Sequence, residues 1–293
     1  MWTEITRPQY ERSGLRYASD LTDKEWKVIA PHLPARKRHG RPRTTDLREV
    51  LNAILYMART GCQWRMLPRE FPPRSTVQRY FYAWRSDRTL RTLNLHLLMA
   101  AREALGREAS PSAGVIDSQS VKTTESGGIR GFDAAKLVKG RKRHIITDTS
   151  GLLVGAMVHA ADIQDRDGAP ALLASIRHAF PWLRHVFADG GYAGPKLTGG
   201  LAKLGAWTLE IVRRSDAAKG FVLLPRRWVV ERTLRLARPQ PTPRQGLRKN
   251  HRKRRGLAAD RQHSTPQPKN RKGLKSMNSF RAGPLEMSII INP

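Results

Sequence analysis

Two apolar runs that each end on an aspartate constrain the fold of this chain more than any other feature. Residues 114–116 precede Asp117, and residues 184–188 precede Asp189. A carboxylate is costly inside a buried strand, so we expect each aspartate to lie where its strand emerges at the edge of a sheet. Either residue alone would be read as a turn or cap residue. Their matching contexts, with Glu231 in a helix-like run downstream, predict three carboxylates at one site.

The charge balance points to a polyanionic partner. Among 293 residues, 54 Lys and Arg stand against 24 Asp and Glu, which gives a net charge of +30. Nucleic acid is the first candidate and an anionic membrane surface the second. No run approaches the roughly 20 apolar residues of a membrane span, and the N-terminus lacks a signal-peptide pattern. A single cysteine, Cys62, excludes an internal disulfide. We therefore expect no membrane partner and a soluble, cytoplasmic, nucleoid-associated protein.

Helical patterns fill residues 21–108, after an irregular N-terminus over residues 1–20. Four helices are predicted. The first begins at a capping box of Thr22 and Glu25, and the second spans Asp46 to Thr60 with Gly61 as the stop. The third begins at a capping pair of Ser75 and Gln78, and the fourth covers residues 89–105. Short connections and a polar outer face fit a helix-turn-helix-like DNA reader, with Arg74, Gln78 and Arg79 as DNA-binding residues. The alternative is a plain helical bundle with a solvated charged face.

Strand and helix patterns alternate from residue 112 to residue 236. Strands are predicted at 113–117, 143–148, 151–158, 184–188 and 207–212, and helices at 168–179, at 195–204 and across Glu231. The spacing at Thr149-Ser150 suits a tight hairpin. This order predicts an α/β domain with a mixed sheet and flanking helices. In it, the strands that lead to Asp117 and Asp189 can lie parallel and adjacent.

The C-terminal region differs in composition. Residues 234–293 contain 15 Lys and Arg, seven prolines and a single aromatic residue, Phe280, against the acidic residues Asp260 and Glu286. Such a segment buries too little apolar surface to offset its ordering entropy. We expect residues 237–293 to form a basic, disordered tail.

The three carboxylates suit hard divalent cations. Carboxylate oxygens bind Mg²⁺ or Mn²⁺, and two such ions about 3.5–4 Å apart can activate the attacking oxygen and stabilise the leaving one. Three acidic residues among 24 could still be brought together by accident, so the sequence around them carries more weight.

The surrounding motifs resemble those of bacterial insertion-sequence transposases of the DDE superfamily. The resemblance covers about residues 21–233. It is carried, in chain order, by Leu21-Thr22-Asp23 with Trp26, Arg59-Thr60-Gly61-Cys62-Gln63-Trp64-Arg65, Ser75-Thr76-Val77, Ile116-Asp117-Ser118-Gln119-Ser120-Val121-Lys122, Lys139-Gly140-Arg141-Lys142-Arg143-His144, Gln164-Asp165-Arg166-Asp167-Gly168-Ala169, Ala188-Asp189-Gly190-Gly191-Tyr192, and Arg226-Arg227-Trp228-Val229-Val230-Glu231-Arg232-Thr233.

The resemblance implies a ribonuclease H-like catalytic domain and an enzyme that cleaves and joins DNA with Mg²⁺ or Mn²⁺. Asp117, Asp189 and Glu231 would then be the catalytic and metal-binding residues. The implied partners are the terminal inverted repeats of the element and target DNA, bound by a homodimer. The basic residues that flank the glutamate, Arg227 and Arg232, are implied to contact DNA. Apart from the resemblance, we expect a DNA-facing loop lined by Lys136, Lys139, Arg141, Lys142 and Arg143, with a solvated charged loop as the alternative.

The sequence departs from the family pattern after Thr233. Pro239 and Pro241 would end the helix soon after Glu231, so the remainder reads either as an out-of-frame segment or as a divergent DNA-binding tail. Two alternatives to an active transposase therefore stay open: a catalytically inactive DNA-binding remnant of a decayed element, and a host nuclease of the same fold. Three further expectations concern single residues: Asp162, Asp165 and Asp167 cap a helix or lie beside the site, whereas Cys62 and His159 serve packing.

Overall fold

The fold combines N-terminal helices with a mixed sheet that carries helices on its faces. The computed structural model describes residues 14–36, 39–40, 42–123, 128–212, 229–231 and 233–234. The predicted tail therefore lies outside the described residues, as do Arg227, Arg232 and Pro239. No helix in the described ranges is long and apolar enough to cross a membrane.

The described residues of the N-terminal part contain four α-helices: α1 (Asp23–Ile29), α2 (Leu47–Thr60), α3 (Arg74–Ser86) and α4 (Thr89–Ala104). The capping box of Thr22 and Glu25 forms as predicted, and α2 ends at Gly61 with a positive φ of 64°. Their apolar faces share one core that includes Leu51, Val77 and Leu93. Local signals were sufficient for the start of α1 and for both ends of α2, because a side-chain cap begins each of these helices and Gly61 ends α2.

The start of α3 differs from the prediction. The helix begins at Arg74 with Pro73 as its N-cap, so Ser75 lies inside the first turn and makes no capping bond. Proline presets a backbone angle that favours the start of a helix without a side-chain acceptor. The connection from α2 to α3 covers residues 61–73 and is longer than a helix-turn-helix turn, whereas Asp87 and Arg88 alone join α3 to α4.

The second part contains β1 (Ala113–Lys122), β2 (Gly131–Asp133), β3 (Val138–Asp148), β4 (Leu153–Ala160), α5 (Asp165–Ile176), β5 (His185–Ala188), α6 (Pro195–Leu204) and β6 (Thr208–Ile211). The strand order is β2-β3-β1-β5-β6, with β4 also paired to β3. Strand β1 is antiparallel to β3 and parallel to β5, which is parallel to β6. The mixed α/β sheet after N-terminal helices confirms the predicted fold class, including its ribonuclease H-like character.

Several boundaries in the sheet domain differ from the sequence prediction, including the start of β3 at Val138, five residues earlier than predicted. Strand β1 continues five residues past Asp117 because β3 pairs with it as far as Lys122. The β3–β4 connection is a loop over residues 149–152 and not a two-residue turn. The buried Asp148 carboxylate stabilises this loop by accepting the Ser150 and Leu152 backbone N–H groups, and it pairs with Arg102 of α4.

Two apolar cores cover opposite faces of the sheet. Successive residues of a strand point to opposite faces, and Ile116 and Ile146 join the core beneath α5. Val115, Ile145 and Phe187 face the other way and pack against Val230 and Leu234 of a short helical segment that is described at residues 229–231 and 233–234. We call this second side the outer face and the α5 side the inner face. Polar side chains of the sheet can contact one another only if they lie on the same face.

Candidate active site

Asp117 and Asp189 occupy equivalent positions on neighbouring parallel strands. The last parallel pair joins Val115 to Phe187, and each aspartate lies two residues further on. Both therefore lie on the outer face, next to each other, as in-register residues of a parallel pair do. Only Asp189 follows the end of its strand, where it is the N-cap of a short 3₁₀ turn over Gly190–Tyr192. The prediction that both strands end at their aspartates is wrong for Asp117, which is the fifth residue of β1.

The helical segment around Glu231 packs against the same outer face. Val230 and Leu234 are buried against Val115 and Ile145. The Thr233 hydroxyl lies 3.1 Å from the Gly151 carbonyl oxygen, to which it donates a hydrogen bond. Sequence analysis did not predict this hydroxyl contact. Three points of attachment therefore hold the segment to the sheet beside the two aspartates.

The electrostatics show that the three carboxylates interact. Burial raises the pKa of the Asp117 carboxyl from its usual 3.8 to about 7, and the negative charges of Asp189 and Glu231 act in the same direction. The Ser118 backbone N–H, 2.7 Å from Oδ1, and the charge of Lys136 offset part of this rise. An excess of negative charge on one sheet face is the setting in which a bound cation is favoured.

The donor set fits a divalent cation by its chemistry. All three residues offer carboxylate oxygens, which are the ligands that Mg²⁺ and Mn²⁺ prefer. Within the described ranges, no group of three or more His, Cys, Asp or Glu side chains is gathered tightly enough to hold a metal ion. The arrangement therefore brings the predicted residues into electrostatic contact without a completed coordination sphere.

A polar network on the inner face lies directly behind Asp117 and contains residues that sequence analysis did not assign to the site. The Ser118 hydroxyl donates to Asp165 Oδ1 at 2.7 Å, and Lys142 Nζ lies 2.8 Å from the same oxygen. Burial raises the pKa of Asp165, but the hydrogen bonds from Lys142 and Ser118 outweigh burial, so the net shift is downward. A second carboxylate, Asp133, accepts the Ser120 hydroxyl and lies 3.7 Å from Lys142 Nζ.

The position of Asp165 decides between the two expectations for this residue, helix capping and a place beside the site. Helix α5 begins at Asp165 itself, three residues earlier than predicted, and Gln164 is its N-cap. Asp165 and Asp167 lie in the first turn, where a negative charge is favoured by the helix dipole. Asp165 thus matches the alternative expectation of a residue beside the site, and Asp167 pairs with Lys196 at 2.7 Å.

Tyr192 and two histidines extend the inner network. Tyr192 Oη lies 2.8 Å from His144 Nε2, and His144 Nδ1 lies 2.8 Å from His159 Nε2. His159 Nδ1 lies 2.9 Å from the Ala160 carbonyl oxygen. A carbonyl can only accept, so His159 Nδ1 carries the proton, His144 Nδ1 donates to His159, and the Tyr192 hydroxyl donates to His144. Burial lowers the pKa of His144 to about 3, which keeps it neutral as this order requires.

This hydrogen-bonded chain corrects the assignment of His159 to packing alone. It ties Tyr192, three residues after Asp189, to β3 and β4, and the neighbouring bond from Ser118 ties β1 to α5. The glycine at position 168 makes room for it, because a Cβ there would lie 2.5 Å from His144 Nδ1. The inner network therefore fixes the two segments that carry Asp117 and Asp189, through contacts on the opposite face of the sheet.

The predicted DNA-binding residues fall into three groups. On α3, Arg74 and Arg79 are exposed and Gln78 is half-buried. On β3, the odd-numbered residues Lys139, Arg141 and Arg143 lie on the outer face with Asp117, because Asp117 pairs with Ile145. Lys142 lies on the inner face, is 4% exposed and pairs with Asp165. The prediction of a DNA-facing side chain is therefore wrong for Lys142. Arg227 and Arg232 lie outside the described residues.

Gln119 is a further outer-face residue that the sequence motif contained without an assigned role. It lies two residues after Asp117 and pairs with Arg143. Its Oε1 atom is buried and accepts no hydrogen bond within the described part of the chain. A spacing of two residues from Asp117 was the signal that could have identified it.

Comparisons with known proteins agree with this geometry. The chain matches a domain family described as "Putative transposase of IS4/5 family" over residues 21–94 and one described as "Transposase DDE domain" over residues 108–272. It is also similar to an uncharacterised protein, y4sN, of Sinorhizobium fredii, at 31% identity over 102 residues, or 35% of this chain and 75% of that protein. No solved structure matches the chain. The second domain match continues past Thr233, where the resemblance was expected to end.

Proposed function

Because this chain belongs to the family of DDE transposases, whose domain model matches more than half of it, we propose that it cleaves DNA at the ends of an insertion sequence and joins those ends to target DNA. Members of this family are enzymes that act on DNA and use divalent metal ions. The finer proposal is that Mg²⁺ or Mn²⁺ is bound by Asp117, Asp189 and Glu231. When bound, the metal would polarise the phosphodiester and activate the attacking oxygen.

One observation carries this proposal: Asp117 and Asp189 are neighbours on one sheet face, the Glu231 segment packs against that face, and the charges of Asp189 and Glu231 raise the pKa of the Asp117 carboxyl. The protein's own contribution is to hold these groups on a rigid sheet and to bring DNA to them through the cations of the outer face. In the proposed hydrolysis, a water oxygen bonds to phosphorus and the bond to the 3′ oxygen breaks, which leaves a 3′ hydroxyl. That hydroxyl then attacks a target phosphodiester and displaces its 3′ oxygen.

The partners follow from the reaction. The substrate is double-stranded DNA, first the terminal inverted repeats and then the target, which would place the protein at the nucleoid. Two ends must be held together during joining, so we propose a homodimer on DNA. The described ranges also support two working parts, a helical DNA-binding part over residues 21–108 and a catalytic part over residues 112–236.

The test is strand transfer by the purified full chain on a duplex that carries the element's terminal repeats. We expect Asp117→Asn, Asp189→Asn and Glu231→Gln each to abolish cleavage while DNA binding remains. Glu103→Gln, which removes an exposed carboxylate at the end of α4, is the matched control and should cleave normally. Binding of Mn²⁺, followed by electron paramagnetic resonance without DNA, should weaken in the first three variants only. Undiminished cleavage in Asp117→Asn protein would refute the assignment of the site.

A second candidate is a catalytically inactive DNA-binding remnant. The observation that favours it is that, in the described ranges, no three potential ligands are gathered tightly enough for a metal ion. The same assay separates the two: a remnant binds the terminal repeats but cleaves them with neither Mg²⁺ nor Mn²⁺. Translation of the other reading frames after the Thr233 codon is a further test, since a frameshift would leave a Leu- and Arg-rich helix in one of them.

A further inference from the structure

The β2–β3 hairpin exposes large apolar side chains next to cations. Phe132 is 53% exposed and Leu137 is 76% exposed. Arg130, Lys136 and Lys139 around them are also exposed. Apolar side chains that remain on the surface within a polar rim mark interaction sites more often than chance exposure does. The hairpin therefore has the character of a binding element.

The strand register places Phe132 on the same sheet face as the three carboxylates. Phe132 pairs with Lys139 across the hairpin, and Lys139 lies six residues before Ile145, the partner of Asp117. Six residues is an even number, so all of these residues share the outer face. Arg141 and Arg143 fill the positions between them. At 3.3–3.4 Å per residue, Phe132 lies roughly 20 Å along the strand from the level of Asp117.

The hairpin is held firmly to the sheet, so its exposed residues have a defined position. Gly131 and Gly140 are cross-strand partners, and a Cβ on either would collide with Asp162 or with the Val121 backbone. The buried Asp133 carboxylate accepts the Lys136 backbone N–H at 3.1 Å and the Ser120 hydroxyl. This anchoring continues through Lys142 into the network behind the active site.

We infer that Phe132 stacks on a base of the bound DNA while Lys139 contacts an adjacent phosphate. The inference rests on the proposed function for the presence of DNA at this face. Cations complement phosphates, and every base offers a surface to an aromatic ring. At about 3.4 Å per base step, the 20 Å of strand corresponds to a base roughly six pairs from the cleaved phosphate. An apolar wedge at that point would unstack the duplex locally, away from the cleaved phosphate.

A second copy of this chain is the competing occupant of the hairpin. In a twofold interface the same patch would face itself, and Arg130, Lys136 and Lys139 would then meet their own counterparts. Like charges that face each other across an interface disfavour it. The cationic rim therefore favours DNA over self-association.

The test uses full-length protein, in EDTA, with terminal-repeat duplexes that carry a single 2-aminopurine at successive positions. Wild-type protein should change the fluorescence at one or two adjacent positions, near the sixth pair from the cleavage point. Phe132→Ala should abolish that change and weaken binding by about 5- to 100-fold, the range for removal of a base-stacking ring. Phe132→Trp should retain both. The matched control, Trp182→Ala, removes a 70% exposed aromatic before β5, at the end of that strand away from Asp189, and should behave like wild type.

Salt dependence separates the two contacts. Lys139→Ala should reduce the slope of log affinity against log salt by about 0.9, as expected for one lost phosphate contact, whereas Phe132→Ala should leave the slope unchanged. A fluorescence change that persists in Phe132→Ala protein would overturn the inference. So would a wild-type dimer, seen by analytical ultracentrifugation without DNA, that Phe132→Ala converts to a monomer. Either result leaves the proposed function intact if wild-type cleavage still depends on Asp117.

Discussion

Replacing Asp117 with asparagine should make the metal-free protein more stable above neutral pH. Burial raises the pKa of the Asp117 carboxyl from 3.8 to about 7, and the negative charges of Asp189 and Glu231 add to this rise. In the unfolded chain the same group ionises near its usual pKa. At pH 8 the folded protein therefore contains an ionised Asp117 carboxylate that its surroundings disfavour. Asparagine removes this negative charge and keeps the shape of the side chain.

The magnitude follows from the pKa difference. A rise of about three units at 1.36 kcal/mol per unit sets an upper limit of about 4 kcal/mol. Part of the side chain reaches solvent, where screening reduces the cost, so we expect a gain of about 1–3 kcal/mol. Because the folded pKa is the higher one, the penalty is absent below pH 3.8, grows as the pH rises to about 7 and is constant above it.

Urea unfolding in EDTA, followed by circular dichroism at pH 8 and pH 5, measures this difference. The advantage of Asp117→Asn over wild type should be full at pH 8 and much smaller at pH 5, while Glu103→Gln should match wild type at both. Addition of Mg²⁺ at pH 8 should stabilise wild type and leave Asp117→Asn unchanged. A variant that is no more stable than wild type at pH 8 in EDTA would refute the inference that burial and the neighbouring charges disfavour the ionised Asp117 carboxylate.

Three further predictions concern the inner face and its contrast with the outer one. Tyr192→Phe should lower the free energy of unfolding by about 1–3 kcal/mol, because it leaves the buried His144 Nε2 atom without its donor; thermal unfolding measures this. Lys142→Met should cost about 3–5 kcal/mol by leaving the buried Asp133 and the half-buried Asp165 carboxylates without their cation, whereas Lys139→Met should leave stability unchanged and weaken DNA binding. Gly168→Ala should cost about 1–3 kcal/mol, since its Cβ would press on His144; equal melting temperatures for variant and wild type would contradict this.

The two faces of the sheet divide the work of the proposed site. The outer face carries the interacting carboxylates and the row of cations. The inner face carries a polar network that ties β1 to α5 and the turn after β5 to β3. Binding sites need such support, because a carboxylate that shifts by about half an ångström loses its metal geometry. This division explains why Ser118, Asp165 and Tyr192 matter for a site that they do not enter.

The sequence by itself determined the features that are encoded within one element. The capping box at Thr22, the extent of α2 and its stop at Gly61 all depend on contacts within a turn or two of the same helix. The matching contexts of Asp117 and Asp189 likewise predicted parallel neighbouring strands, because a buried parallel strand is marked by its own apolar run. Local physical rules decide such features before any tertiary contact forms.

Tertiary structure alone decided which face each polar residue takes. Sequence analysis began β3 at residue 143 and treated the basic residues before it as a loop, so neither Lys139 nor Lys142 could be given a face. Because β3 pairs with β1 as far as Lys122, β3 includes residues 138–142. Side chains alternate between the two faces along a strand, so Lys142 lies on the inner face and Lys139 on the outer face. A one-residue difference in register reverses every side chain of a strand. Register depends on the partner strand, and no local pattern within residues 138–142 specifies it.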